Sequence, residues 1–386
     1  MEKKNNSNRI KIGIDARLWA QTGVGRYIRN LILNLLLIDP INIYVLFARK
    51  EDESEIKNQI SKLKINNLKF KIVLTNIKWH SISEQISFPK IINKENLDVM
   101  HFTYQQGVPI FYKKLYVITV HDLIKHHFLT GKASTDAIWL YGFKMLVYKT
   151  LINFAVKNAF KIIAVSSTTR DEIFDHLMVN KNKVKVIYEA SDDIKFTDIK
   201  NPNLGKYFLY VGNVYPHKNV DNLIKAFNLI SEKTDVKLVF AGSDDYFYSR
   251  LKKQLSSYIK KEKIVIKENV NDAELAGLYK NATALVRPSF MEGFSLAPLE
   301  AMRLDCLVLA SEIPVHKEIF GDNIYYFNPN DVVDLEKQMN YVLNLNENTK
   351  REKINLAKKL AGQFSWEKTA IETLEVYKSC IITRSV

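Results

Sequence analysis

The chain has 386 residues, 47% of them hydrophobic and 25% charged, which suits a globular protein of two ordinary domains and excludes disordered, collagen-like and disulfide-stapled chains. With only two cysteines, Cys306 and Cys380, and no basic-apolar leader at the start, a reducing, cytoplasmic setting is expected. The net charge of +14 is uneven: residues 1–200 carry 31 basic against 19 acidic side chains, and residues 201–386 carry 25 against 23.

Residues 1–8 are polar, and Ile10–Ile14 then reads as a short buried strand ending at Asp15. Thr22-Gly23-Val24-Gly25 follows, and Arg26 to Leu37 places apolar residues at helical spacing. This is a strand, glycine loop, helix unit, whose loop suits either an anion or a plain tight turn. The apolar stretch from Leu31 to Phe47 is broken by Asn34, Asp39, Pro40 and Asn42. It falls short of the ~18 residues of a membrane span, so any membrane contact is expected to be peripheral.

Further apolar runs stand at Ile43–Ala48, Phe70–Leu74, Asp98–Phe102, Tyr116–Val120, Lys161–Val165 and Val184–Ile187, mostly separated by helical or polar segments. Short buried strands alternating with helices predict a parallel α/β sheet. Asp192 to Lys206 has no periodicity and reads as a linker. The alternation resumes at Tyr207–Val211, Val236–Ala241, Lys263–Lys267, Ala284–Val286, Leu307–Ala310 and Ile324–Phe327. The expected organisation is an N-terminal Rossmann-like domain over 1–191, a linker over 192–206, a second Rossmann-like domain over 207–365, and a C-terminal helix over 366–386 packing back on the first domain. Ligands of such sheets bind at the carboxyl ends of strands, so a cleft between the domains is the default site.

Two segments of the second half carry candidate chemistry. Val211-Gly212-Asn213-Val214-Tyr215-Pro216-His217-Lys218-Asn219 joins a strand end to a helix, where Lys218 either neutralises a phosphate or stands on the surface. The segment from Pro288 to Met302 sets Glu292 before a loop at Gly293 and Glu300 in the helix that follows. Free amides at Phe294, Ser295 and Leu296 suit a diphosphate, and Glu300 suits a ribose. The plainer alternative makes Glu292 a helix-dipole partner and Glu300 part of a solvated face.

Glu292 to Glu300, here EGFSLAPLE, matches the E-x7-E motif of the retaining nucleotide-sugar glycosyltransferases of glycosyltransferase family 4, which the sequence resembles over nearly its whole length. Further matches are Gly23–Gly25, His121-Asp122, Ala164-Val165-Ser166, Gly212 to Lys218, the strand end Leu238–Gly242, and Phe364 to Ala370. The resemblance implies the GT-B fold and a nucleoside-diphosphate sugar donor held by the second domain. Lys218 would bind the diphosphate, Glu300 the ribose, and Gly25 would line the diphosphate or the reacting cleft. Glu292 would face the donor sugar, and His121 would reach it from the first domain.

One position departs from the family. Many members carry an arginine five residues before the lysine, and Asn213 stands there. Part of the leaving-group stabilisation must then come from Lys218 and the loop amides. His101-Phe102 with Pro109, Trp79 with Glu84-Gln85, and Val120 to Leu123 look most like bacterial mannosyltransferases of surface-polysaccharide assembly, which suggests GDP-mannose as donor. The expected acceptor is a hydroxyl of a glycan or a lipid-linked glycan.

Asp192-Asp193 and Asp244-Asp245 lack the spaced Asp-x-Asp that chelates a metal diphosphate, no His/Cys cluster has zinc spacing, and His126-His127 reads as a loop pair. No metal or cofactor is therefore expected. The basic first half fits attachment to the inner face of the plasma membrane, and Trp139, Tyr141, Phe143, Lys144, Tyr148 and Lys149 form an aromatic-basic stretch there. Lysine is abundant throughout, so composition alone accounts equally well for the excess. Two other functions are weighed: a nucleic-acid or anionic-surface binder, which lacks any recognition motif, and a GT-B epimerase or phosphorylase, for which no pyridoxal lysine context is found. Nucleic acid is not expected as a partner.

Overall fold

The computed structural model describes residues 9–65, 68–128, 138–191, 203–243 and 245–382. They fall into two compact units, one within Met1–Leu129, Asp136–Glu189 and Ser365–Val386, the other within Ala190–Phe364. Residues 192–202 of the expected linker lie outside the described residues.

The first unit holds a seven-stranded sheet in the order β3-β2-β1-β4-β5-β6-β7. Its strands are β1 (Lys11–Asp15), β2 (Ile43–Arg49), β3 (Phe70–Thr75), β4 (Val99–Phe102), β5 (Tyr116–Val120), β6 (Lys161–Ala164) and β7 (Val184–Val186). Every pairing is parallel. The central strands β1, β4 and β5 are buried without alternation, the pattern of a sheet covered on both faces. β4 and β5 are buried at every position.

The second unit holds a six-stranded parallel sheet in the order β10-β9-β8-β11-β12-β13. Its strands are β8 (Tyr207–Val211), β9 (Lys237–Gly242), β10 (Ile264–Glu268), β11 (Ala284–Arg287), β12 (Val308–Ser311) and β13 (Tyr325–Phe327). Strand order reverses between β8 and β11 here, as it does between β1 and β4 in the first sheet. Loops diverge at such a reversal and open a crevice at the strands' carboxyl ends.

The C-terminal helix Trp366–Ile382 belongs to the first unit. Thr369 donates to the Tyr188 carbonyl at 2.7 Å, and Tyr377 meets His101 Nδ1 at 2.6 Å. His101 Nε2 lies 2.8 Å from Thr119, whose hydroxyl is 2.9 Å from that of Tyr27. Burial drives the His101 pKa down to about 3, so this chain of polar groups under the helix carries no charge at neutral pH. Cys306 and Cys380 are both buried and free. Among the described residues, no helix is long and apolar enough to cross a membrane.

Candidate functional site

The reversal point of the second sheet brings together both segments singled out in the sequence. Gly212 follows β8, and Pro288 to Ser295 follow β11, the strand beside it. The loops are stitched to each other: Phe290 N donates to the His217 carbonyl at 2.8 Å, and Asn219 Nδ2 donates to the Pro288 carbonyl at 3.0 Å. Asn219 takes a left-handed conformation to end the turn at Pro216–Lys218 and start the helix Val220–Ser231. Asparagine tolerates that conformation better than most residues.

Glu292 is the hub. Its Oε2 accepts from Lys218 Nζ at 2.8 Å, and its Oε1 meets Arg287 Nη2 and Ser289 Oγ, both at 2.6 Å. All three charged side chains are at most one-tenth exposed. Burial opposes ionisation of Glu292, but the charges of Arg287 and Lys218 outweigh it and hold the carboxyl well below its usual range. Burial, helped by Lys218, lowers His217 to about 3, and burial lowers His316 to about 4. Both rings are neutral at pH 7, and within the cluster two cations, Lys218 and Arg287, share the one carboxylate of Glu292.

Arg287 is the residue that the sequence reading missed. It ends β11, donates to the Val211 carbonyl at 2.8 Å through Nη1, and leaves its buried Nε without a partner. Gly212 has φ +127°, and a Cβ there would sit 3.1 Å from Arg287 Nη1. Glycine thus serves both the backbone and the close approach of the guanidinium. The buried Asn213 Oδ1 is likewise without a partner. Asn213 supplies no charge, and Arg287 brings a second cation to the same turn.

The amides proposed for a diphosphate stand at the start of the helix Leu296–Arg303. Gly293 and Leu296 are half-buried, whereas Phe294 is buried and packs edge-on against Phe364. Ser295 has φ 80° and no side-chain cap bond, so its hydroxyl does not satisfy the helix's first N–H groups. Instead it lies 3.3 Å from His316 Nε2, while His316 Nδ1 donates to the Ser311 carbonyl at 2.8 Å. Glu300 is 3% exposed, and Tyr279 donates to its Oε2 at 2.8 Å. Neither glutamate therefore belongs to a solvated face.

Gly25 and His121 belong to the first unit. The helix begins at Gly23 rather than Arg26, and Gly25 lies buried within its first turn. A Cβ at Gly25 would stand 2.5 Å from the Trp19 carbonyl oxygen and 2.8 Å from that of Leu18. Close backbone packing therefore requires glycine at this position.

His121 follows β5. Its Nε2 donates to the Thr103 carbonyl and its Nδ1 lies against Glu189 Oε1, each at 2.9 Å. Burial lowers its pKa, but the hydrogen bond and charge of Glu189 more than offset this and raise it. At the first sheet's own reversal point, Arg17 bridges Asp15 at 2.7 Å and Glu84 at 2.8 Å. Burial lifts Glu84 to about 7 against the pull of Arg17.

Of the two acidic pairs, only Asp245 lies among the described residues. Asp245 accepts from Tyr248 N at 2.9 Å as a helix cap, and Asp192, Asp193 and Asp244 lie outside the described residues.

Residues 22–193 match the model of glycosyltransferase family 4, and residues 191–359 match that of glycosyl transferases group 1. The O-antigen chain mannosyltransferase RfbU of Salmonella typhimurium is 30% identical over 256 residues, 66% of this chain and 67% of RfbU. A glycosyltransferase of Methanocaldococcus jannaschii is 26% identical over 92% of this chain and 94% of its own. Sucrose-phosphate synthase of Thermosynechococcus elongatus superposes with a TM-score of 0.76 at 16% identity, over 97% of this chain and all of that one. HepE of Anabaena, solved with UDP and glucose, superposes with a TM-score of 0.70 at 16% identity, over 96% of this chain and all of its own. Those likenesses give the two sheets the GT-B fold. The chain belongs to the family 4, group 1 glycosyltransferases.

Proposed function

We propose that the chain transfers mannose from GDP-mannose to a hydroxyl of a glycan or lipid-linked glycan, with retention at the anomeric carbon, in surface-polysaccharide assembly. The observation that carries the donor class is the buried Lys218–Glu292–Arg287 cluster at the β8/β11 reversal, which sets two cations beside the glycine turn where a diphosphate would lie. Relatives named as mannosyltransferases support the sugar.

In the transition state the sugar takes on oxocarbenium character and negative charge builds on the departing diphosphate. Lys218, Arg287 and the amides of Phe294 to Leu296 stabilise that charge, and fixed donors in a dry site need no reorganisation as it develops. Glu292 holds the two cations in place. Glu300 takes the ribose hydroxyls, Gly212 and Gly293 let backbone approach the phosphates, and Asn213 contributes a neutral hydrogen-bonding group. His121 supports the sugar from the first unit. The departing phosphate oxygen accepts the proton of the incoming hydroxyl, so no covalent nucleophile is required.

A thermal-shift screen tests the donor. GDP-mannose at about 100 times its dissociation constant should add ~2.7 kcal/mol of stability, and UDP- and ADP-sugars at the same concentration should add less. Lys218→Ala should weaken nucleoside-diphosphate binding roughly tenfold to a hundredfold in calorimetry, the worth of a charge-assisted contact. Unchanged affinity would move Lys218 out of the donor site. Transfer should also continue in excess EDTA, because fixed cations take the part of a metal ion at the leaving group. Loss of activity restored by manganese or magnesium would overturn that reading.

We further propose that the first unit attaches to anionic membranes where a lipid-linked acceptor resides. Supporting this, Lys113, Lys114, Lys161 and Lys183 line one groove of that unit. Of the aromatic-basic stretch, the side chains of Trp139, Tyr141, Phe143 and Lys144 lie outside the described residues, Tyr148 is buried and Lys149 is exposed. Each lysine near such a surface contributes about 1 kcal/mol over a Debye length of ~8–10 Å. Co-sedimentation with anionic vesicles should therefore occur at low salt and fade at high salt. Protein that stays in the supernatant at low salt would rule the attachment out.

A further inference from the structure

The first unit holds a second convergence of side chains that sugar transfer does not use. His127 closes the short helix Ile124–His127, while Glu172 and His176 stand one turn apart on the helix Ser167–His176. Glu172 Oε2 lies 2.5 Å from His127 Nε2 and 3.4 Å from His176 Nε2. The two histidine rings are 4.7 Å apart, and the three ligand atoms all lie within 4.8 Å of one another. Local spacing in the sequence shows no zinc pattern, because the fold supplies the third member from 45 residues away.

We propose that His127, Glu172 and His176 bind one zinc ion. Two imidazole nitrogens with one carboxylate oxygen form a donor set that Zn²⁺ takes at ~2.0–2.2 Å per bond, with a fourth position left to water. An i, i+4 pair presents both of its groups on one helix face, so only His127 must come from elsewhere. The same donors suit magnesium and calcium poorly, since those ions prefer oxygen.

One carboxylate oxygen facing two Nε2 atoms can satisfy both only when each ring carries a proton there. A dication bound to all three atoms does without both protons. The side chains are 35%, 24% and 37% exposed in the order His127, Glu172, His176, so the ion reaches the site from solvent.

Its place in the fold gives the ion a consequence. Ile124 follows His121 by three residues and its N–H donates to Asp122 Oδ1 at 3.0 Å. Thr169, on the helix that carries Glu172 and His176, donates to the His121 carbonyl at 3.3 Å. Bound zinc would fasten together the two elements that flank the His121 backbone. It takes no part in leaving-group chemistry, so this proposal and activity in EDTA stand or fall separately.

Calorimetric titration of the metal-stripped full chain with zinc chloride tests the site. One zinc per chain is expected, with no comparable binding of magnesium. Loss of even an outer partner of a metal ligand costs ~10–100-fold in affinity, so His127→Ala and His176→Ala should each cost at least about tenfold. Glu172→Gln, which preserves size, should also weaken binding. His126, whose Nδ1 lies 3.2 Å from the Tyr148 hydroxyl and whose ring centre is 5.9 Å from that of His176, supplies no ligand atom, so His126→Ala should still bind one zinc per chain. Cobalt should give visible d–d absorption in the wild type and lose it in His127→Ala, with circular dichroism verifying that each variant is folded. Absence of zinc binding in the wild type, or wild-type affinity in both histidine variants, overturns the proposal.

Discussion

Glu292→Gln is expected to lower turnover by ~10²–10³, the cost of removing one electrostatic element from a preorganised site, while nucleoside-diphosphate affinity holds or rises. The split follows from the charge count. Glutamine leaves Lys218 and Arg287 with no carboxylate between them, so the cluster still attracts a diphosphate. It no longer holds the cations where charge develops in the transition state, and the loss therefore appears in kcat. Two buried cations without a counter-charge also destabilise the fold by ~3 kcal/mol or more. Calorimetry with GDP, steady-state kinetics and thermal melts read the three effects separately. Wild-type turnover in a folded variant would take Glu292 out of the reaction.

The stability difference carries its own pH dependence. Despite the opposing effect of burial, Arg287 and Lys218 hold the Glu292 carboxyl below its usual range. Its contribution is therefore fully present above the unfolded carboxylate pKa of ~4.3 and is lost as pH falls from there toward the lowered folded value. The gap in melting temperature between wild type and Glu292→Gln should be full at pH 7 and shrink below about pH 4. A gap that does not change with pH would mean that steric repacking, not charge, causes the destabilisation.

The sheets were readable from sequence because most strands are short, mainly apolar runs between polar or helical segments, and strand ends moved by at most a residue. Val184–Ile187 became β7 (Val184–Val186), and Val236–Ala241 became β9 (Lys237–Gly242). The glycines were less readable, since one letter serves two physical purposes. Gly212 answers to a positive φ and a guanidinium at its side, whereas Gly25 answers to two carbonyl oxygens inside a helix. Glu292 and Glu300 stood out by their spacing, yet their partners did not: Tyr279 is 21 residues from Glu300, and Lys218 is 74 from Glu292. Arg287 was hidden for the same reason. A basic residue at the end of an apolar run reads as a strand reaching solvent, and its contact with Val211, 76 residues away, exists only once β8 and β11 are neighbours.

Arg287→Leu is expected to reduce nucleoside-diphosphate affinity roughly tenfold to a hundredfold and turnover further still. Many members of the family carry an arginine five residues before the lysine, and Asn213 leaves that place uncharged. Arg287 comes to the same glycine turn from the neighbouring strand, with Nη2 on Glu292 and Nε free of any protein partner. A charge-assisted hydrogen bond is worth ~1.5–3 kcal/mol, and leucine keeps the apolar bulk while removing every donor. Glu292 retains Lys218 and Ser289 in the variant, so the loop between them should keep its fold. Arg287→Lys separates charge from shape: it restores a point charge without the planar fork, and should recover only part of the affinity. The stronger test is the double variant Arg287→Leu, Asn213→Arg, which returns a guanidinium to the turn from the family's usual position and should regain turnover over Arg287→Leu alone. Wild-type GDP affinity and turnover in folded Arg287→Leu would reduce Arg287 to a structural support of Glu292. The missing charge at Asn213 would then have to be met by Lys218 and the Phe294–Leu296 amides alone.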